Sequence, residues 1–155
     1  MIMKKIYLAL LLLAGTAITT EAQQAIRTRH FNTEKGIAIK GYDPVAYFTD
    51  NKAVKGNKQW AAIAEGVTYY FSSASHKDLF LKNFSRYEPQ YGGWCAYAMG
   101  ASGEKVDIDP ETFKIRDGRL YLFYHSFFNN TLTKWNKDES RLKVNADASW
   151  TNIFH

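Results

Sequence analysis

The chain of 155 residues contains a single cysteine, Cys95, so no disulfide can form within it and stability has to come from a packed core. It holds only three prolines and shows no internal repeat or low-complexity segment. Charge of one sign is nowhere concentrated. The formal net charge is +5, yet no block of five or six like charges occurs, which argues against a nucleic-acid partner. Asp107 and Asp109 lack the further spaced oxygens and the glycine of a calcium loop, and turn chemistry before Pro110 accounts for them better. Long apolar runs are absent too, apart from Ile6 to Ile18, which is too short to span a bilayer comfortably.

That run follows Lys4 and Lys5 and precedes Thr20-Glu21-Ala22, the layout of a secretory signal peptide cut after a small residue. The expectation is a signal peptide over 1–22 and an exported chain, periplasmic or extracellular, with no stable membrane insertion after cleavage. Removal of 1–22 takes away Lys4, Lys5 and Glu21. About 130 residues remain, enough for one domain with its own core. Residues 23–35 are polar and aperiodic and read as a linker, leaving 36–155 as the domain.

Within it, Ile37-Ala38-Ile39 alternates weakly as a strand, and Asp43-Pro44 is a helix start, with Asp43 as cap. Two hairpins are expected, one turning at Glu65-Gly66 and one at Asp117-Gly118. The run RLYLFYHSFF is so apolar that its strand should be central. Ser75 to Asp78 has capping-box spacing ahead of Phe80 and Phe84, which share a helical face. A closing helix is expected from Asp138 to Trp150. The pattern predicts an α+β fold, a small antiparallel sheet packed with short helices and a C-terminal helix.

Five stretches carry a resemblance: GYDPVAYF (41–48), GVTYYFSSASHKDLF (66–80), RYEPQYGGWCAYAMG (86–100), IDPETFKIRDGRLYLFY (108–124), and the ending W-N-K-D followed by A-D-A-S-W. In this order they resemble the exported branch of the YHS-domain family, from about residue 36 to the C-terminus. YHS domains accompany heavy-metal transporting ATPases and some monooxygenase subunits, and their paired cysteines imply soft-metal ligation. At the matching positions this chain has Ser72 and His76. A serine hydroxyl is a poor ligand for a soft cation, so that motif does not transfer the metal role, although His76 keeps a nitrogen donor.

Cys95 offers three readings. If a helix follows Gly92-Gly93, Cys95 and Met99 share a face, and thiolate with thioether suits Cu(I), completed by His76 or His125. Alternatively Cys95 and Met99 are core residues, since free cysteine is among the most buried residue types. The third reading is a reactive thiol, which requires a lowered pKa and an acid–base partner. Gly92 and Gly93 permit close approach of a ligand or another segment. Tyr42, Tyr47, Tyr91, Trp94 and Tyr97 would wall an aromatic cleft for a small apolar or partly polar ligand, or else fill the core. The sequence thus expects a binding module, handling a soft metal such as copper or binding a small ligand or protein without metal.

Overall fold

The computed structural model describes residues 21–154, so nearly all of the expected signal peptide lies outside the described residues. Residues 21–30 are helical (α1). Here the chain differs from the expected linker, because Arg27 is 7% exposed and Phe31 packs against the main core. The segment is anchored by an arginine rather than a row of apolar residues, so hydrophobic periodicity could not reveal it.

Two short strands, β1 (Thr33–Glu34) and β2 (Ile37–Ala38), precede α2 (Ala46–Thr49). The first hairpin joins β3 (Asn57–Ala64) to β4 (Val67–Phe71), with Ala64 opposite Val67. Glu65 and Gly66 both take positive φ, 45° and 85°, the backbone of a turn whose twist matches the flanking strands. Along β4, Val67, Tyr69 and Phe71 are buried while Thr68 and Tyr70 are half-buried, the period-two alternation of a strand with one face on the core. The sheet order is β1-β2-β4-β3, antiparallel except for the parallel contact of Ile37 with Thr68.

Next come α3 (Ala74–Lys82), α4 (Phe84–Tyr87) and α5 (Ala96–Ala101). The cap of α3 is Ser73, whose side chain accepts from the His76 N–H at 3.2 Å, two residues before the expected Ser75. The second hairpin pairs β5 (Asp109–Arg116) with β6 (Arg119–Phe123) across Asp117 and Gly118, both at positive φ. β6 is buried on both faces from Leu120 to Phe123. Leu120 and Leu122 belong to one core cluster and Tyr121 and Phe123 to another, so β6 divides two cores. It is one of two strands in its sheet rather than the central strand expected, and of the run RLYLFYHSFF only the part up to Phe123 belongs to it. The chain ends with β7 (His125–Ser126), β8 (Asn129–Asn130), α6 (Thr131–Lys137) and α7 (Glu139–Phe154).

The architecture is α+β, small sheets packed with short helices and a C-terminal helix. Among the described residues no helix is long and apolar enough to cross a membrane.

Candidate functional site

Cys95 is 0% exposed. It precedes α5 rather than lying in it, and its ψ of 115° is not helical, so the i, i+4 face expected for Cys95 and Met99 does not form. The two side chains enter different cores, Cys95 the one with Leu120 and Leu122, Met99 the one with Tyr121 and Phe123. The sulfur accepts the Tyr124 N–H at 3.3 Å and stands 3.4 Å from the Thr131 hydroxyl. His125 is exposed, with Nδ1 at 3.2 Å from Thr112 Oγ1 and 3.4 Å from Asp109 Oδ2.

His76 is placed by Asp43, which is completely buried. Asp43 Oδ1 accepts the Val45 N–H at 2.9 Å and the Ala46 N–H at 3.4 Å, holding the turn that leads into α2, whose own cap is Val45 rather than the expected Asp43. Asp43 Oδ2 accepts the Ser72 N–H at 2.8 Å and the Ser72 hydroxyl at 2.6 Å. His76 Nδ1 lies 2.7 Å from the same oxygen and donates to it, since an ionised carboxylate only accepts. Serine, histidine and aspartate thus meet, but not as a nucleophile relay. In a relay the serine and the carboxylate bond opposite ring nitrogens, whereas here both lie on the Nδ1 side. A soft metal would find only one nitrogen here, Nε2, which the Nδ1–H···Oδ2 contact leaves free to ligate and which stands 3.4 Å from the Thr49 hydroxyl. Among the described residues no group of three or more His, Cys, Asp or Glu side chains could hold a metal ion.

The YGGW turn is held in an unusual backbone, with Tyr91, Gly92 and Gly93 all at positive φ, 55°, 59° and 84°. Gly92 is required by contact as well as by angle. A Cβ there would lie 2.7 Å from Trp150 Cη2 and 2.9 Å from Phe31 Cδ1, closer than packed atoms allow.

This turn separates two clefts, each of about 320 Å³. Trp94 lines the first with Asn32, Lys40 and Asp107. Lys40 Nζ lies 2.7 Å from Asp107 Oδ2; burial raises the Asp107 carboxyl, but hydrogen bonds from Lys40 and Asn32 outweigh it and hold it below its usual value. Tyr91 and Gly92 line the second cleft with Phe31, Trp150 and Thr151. Gly93 stands between the two, near Pro89 and Asn32.

The remaining expected wall residues lie elsewhere. Tyr47 is buried and donates to the Pro110 carbonyl at 2.8 Å. Tyr42 lies beneath Lys55, whose Nζ is 4.6 Å from the ring centre. Tyr97 faces Lys134 near the joint between α6 and α7. The aromatic residues therefore do not build one cleft. Tyr47 and Tyr91 are core, and Tyr42, Trp94 and Tyr97 are half-buried on separate faces.

The second cleft has a charged floor that sequence reasoning missed. Arg27 Nη2 pairs with Glu88 Oε1, both side chains being buried, and the Tyr69 hydroxyl donates to the same oxygen at 2.6 Å. Arg27 Nε stands 3.2 Å from Glu65 Oε2, an ion-pair distance without hydrogen-bond alignment. The guanidinium carbon lies 4.4 Å from the centre of the Phe31 ring and 5.8 Å from that of Phe84, a cation between two π-faces. Burial raises the Glu88 carboxyl above its usual value, and the hydrogen bonds from Arg27 and Tyr69 pull it down without cancelling that rise. At the rim, the Tyr91 hydroxyl donates to Asp147 at 2.9 Å, and burial, then this contact, raises the phenol pKa. Sequence spacing could not link Arg27 to Glu88, because they lie 61 positions apart.

Comparison of the chain with family models, with curated proteins and with solved structures gives no match.

Proposed function

We propose that the chain is an exported YHS-like binding module that takes a small, partly polar ligand without a metal, in the cleft between α1, the segment 85–92 and α7. One observation carries this reading: the buried Arg27–Glu88–Tyr69 set opens into a cleft walled by the rings of Phe31 and Trp150. Moving two charges out of water costs several kcal/mol per ion. Perturbed, desolvated groups in a concave site are the usual mark of a place where something binds. Segments of the family resemblance also meet here. Tyr69 comes from GVTYYF, Glu88 to Gly92 from RYEPQYGG, and Asp147 and Trp150 from ADASW.

Copper handling through Cys95, Met99, His76 and His125 gains no support from the geometry, since the two sulfurs enter separate cores and no group of three or more His, Cys, Asp or Glu side chains among the described residues could hold a metal ion. A reactive-thiol enzyme gains none either, because the Cys95 sulfur is fully buried and its neighbours are a backbone N–H and a hydroxyl rather than a base.

The test is a thermal-shift screen with small compounds that combine a ring and a polar head. Compounds that raise the melting temperature are repeated on Thr151→Arg, which fills the mouth of the cleft from an exposed position. The expected result is a shift in the wild type that is lost in the variant. A shift of equal size in both proteins, or none from the whole set, refutes the assignment.

A further inference from the structure

At the opposite extreme from the buried clusters, the turn between β7 and β8 carries Phe127 and Phe128, 92% and 93% exposed. No other large apolar residue among those described is as exposed. The two rings touch only edge-on, with centroids 4.7 Å apart and planes at 83°. Placing two adjacent phenylalanines in water is unfavourable unless something covers them.

The hairpin beneath them is well anchored. His125 pairs with Asn130 and Ser126 with Asn129. The Thr131 N–H and hydroxyl both donate to the Tyr124 carbonyl, at 3.1 and 2.7 Å, while the Tyr124 N–H is held by the Cys95 sulfur. Asn130 also caps α6, accepting from the Thr133 N–H at 3.3 Å. The rings therefore project from a braced stem, and the residues beside them, Ser126 and Asn129, are polar.

The size and shape of this projection indicate what covers it. Two phenylalanine side chains offer roughly 300–500 Å², and with polar Ser126 and Asn129 beside them they form a narrow convex tip rather than a broad apolar face. A lipid bilayer suits such a shape, because an isolated convex apolar tip can enter its interfacial region while the polar collar stays among the headgroups. Charge favours the anionic kind. The chain is net basic, and α6, which leaves the hairpin at Asn130, exposes Lys134 and Lys137. At 1.5 Å of rise per residue Lys134 lies only about 6 Å along the axis from Asn130, within the ~8 Å over which charge acts in physiological salt. Asp109, which lies beside His125 of the stem, is engaged by the Thr112 hydroxyl.

We propose that the Phe127–Phe128 turn is a wedge that docks the protein peripherally on an anionic lipid surface. The test is co-sedimentation of the mature chain, residues 23–155, with vesicles of pure phosphatidylcholine or of an equal mixture with phosphatidylglycerol. A Phe127→Ser/Phe128→Ser double variant is compared, its fold checked by circular dichroism; both positions are exposed, so folding should be retained. Wild type should bind the anionic vesicles, with affinity reduced about tenfold or more in the double variant and weakened on phosphatidylcholine. Phe127→Trp should shift its emission to the blue on anionic vesicles. Absence of wild-type binding overturns the proposal, and so does equal binding by the double variant. Self-association that the double variant abolishes, without vesicle binding, would assign the rings to a second copy and overturn it too. None of these outcomes depends on the ligand cleft.

Discussion

Asp43 and Glu88 are both buried carboxylates, and they are stabilised in opposite ways. Asp43 is surrounded by short-range donors: the backbone of its own turn, the N–H and hydroxyl of Ser72, and His76 Nδ1. Glu88 faces a full positive charge from a distant helix and a buried phenol. A carboxylate satisfied by N–H and O–H dipoles forms a structural joint, here fastening the start of α2 to the end of β4 and the first turn of α3. A buried ion pair also fastens two segments, but it repays its desolvation only when the geometry is good and every remaining polar atom has a partner. Arg27 Nε falls short of that, and this pair is the one that opens to a cleft.

The contrast can be broken most severely at the joint. Asp43→Ala would leave the Ser72 and His76 donors and the Val45 N–H ahead of α2 without their acceptor. At about 1–3 kcal/mol for each orphaned buried donor, the loss should be about 4 kcal/mol or more. Ser72→Ala, which removes one donor and keeps the carboxylate, should cost about 1 kcal/mol. Urea denaturation of the two variants decides the matter. If Asp43→Ala costs no more than Ser72→Ala, Asp43 is not the joint.

Next in size is the ion pair. Arg27→Met retains most of the stem that lies against Phe31 but leaves Glu88 without its cation, and about 3 kcal/mol should be lost near neutral pH. The pH dependence carries the sharper signature. Glu88 is raised above its usual value of 4.5 in the folded protein, so between that value and the folded one the native state binds the extra proton, and stability falls as pH rises through the window. Removing Arg27 removes a contribution that lowers the pKa, so the window extends upward. The deficit of Arg27→Met should therefore shrink as pH falls toward 4.5. A deficit independent of pH over that range would show that the guanidinium stem, not its charge, anchors α1.

The same contrast explains what could be read in the sequence. The turns at Glu65-Gly66 and Asp117-Gly118 and the burial of β6 were legible, because each is decided by neighbours in the chain or by the apolar run itself, whereas the place of β6 in a two-stranded sheet was not. The role of α1 was not, since a polar segment held by one arginine has no periodic signal. The pairing of Cys95 with Met99 failed for a local reason: the residue before a helix has a different ψ from those inside it, so the side chain leaves in another direction. Of the aromatic wall, Tyr91 and Gly92 do line the charged cleft, and Glu88 stands three residues before Tyr91, but Arg27 and Phe31, which complete it, lie in a segment that only the fold brings to them.

The smallest effect is expected at the cysteine itself. Cys95→Ser keeps a group that can accept the Tyr124 N–H and bond with the Thr131 hydroxyl, while replacing a soft apolar sulfur by a harder oxygen inside the core. The expected cost is about 1 kcal/mol, seen as a modest fall in the denaturation midpoint. Native Cys95 should label slowly with a thiol reagent and rapidly once the chain unfolds, since access rather than acidity limits its reaction. Titration with Cu(I) against a competing chelator is the decisive comparison, because thiolate is the one strong Cu(I) ligand this chain offers. Wild type and Cys95→Ser should compete alike. A Cu(I) affinity that falls about tenfold or more with the sulfur would mean that the core opens to admit the metal, and it would move the chemistry of the protein from the Arg27 cleft back to the thiol.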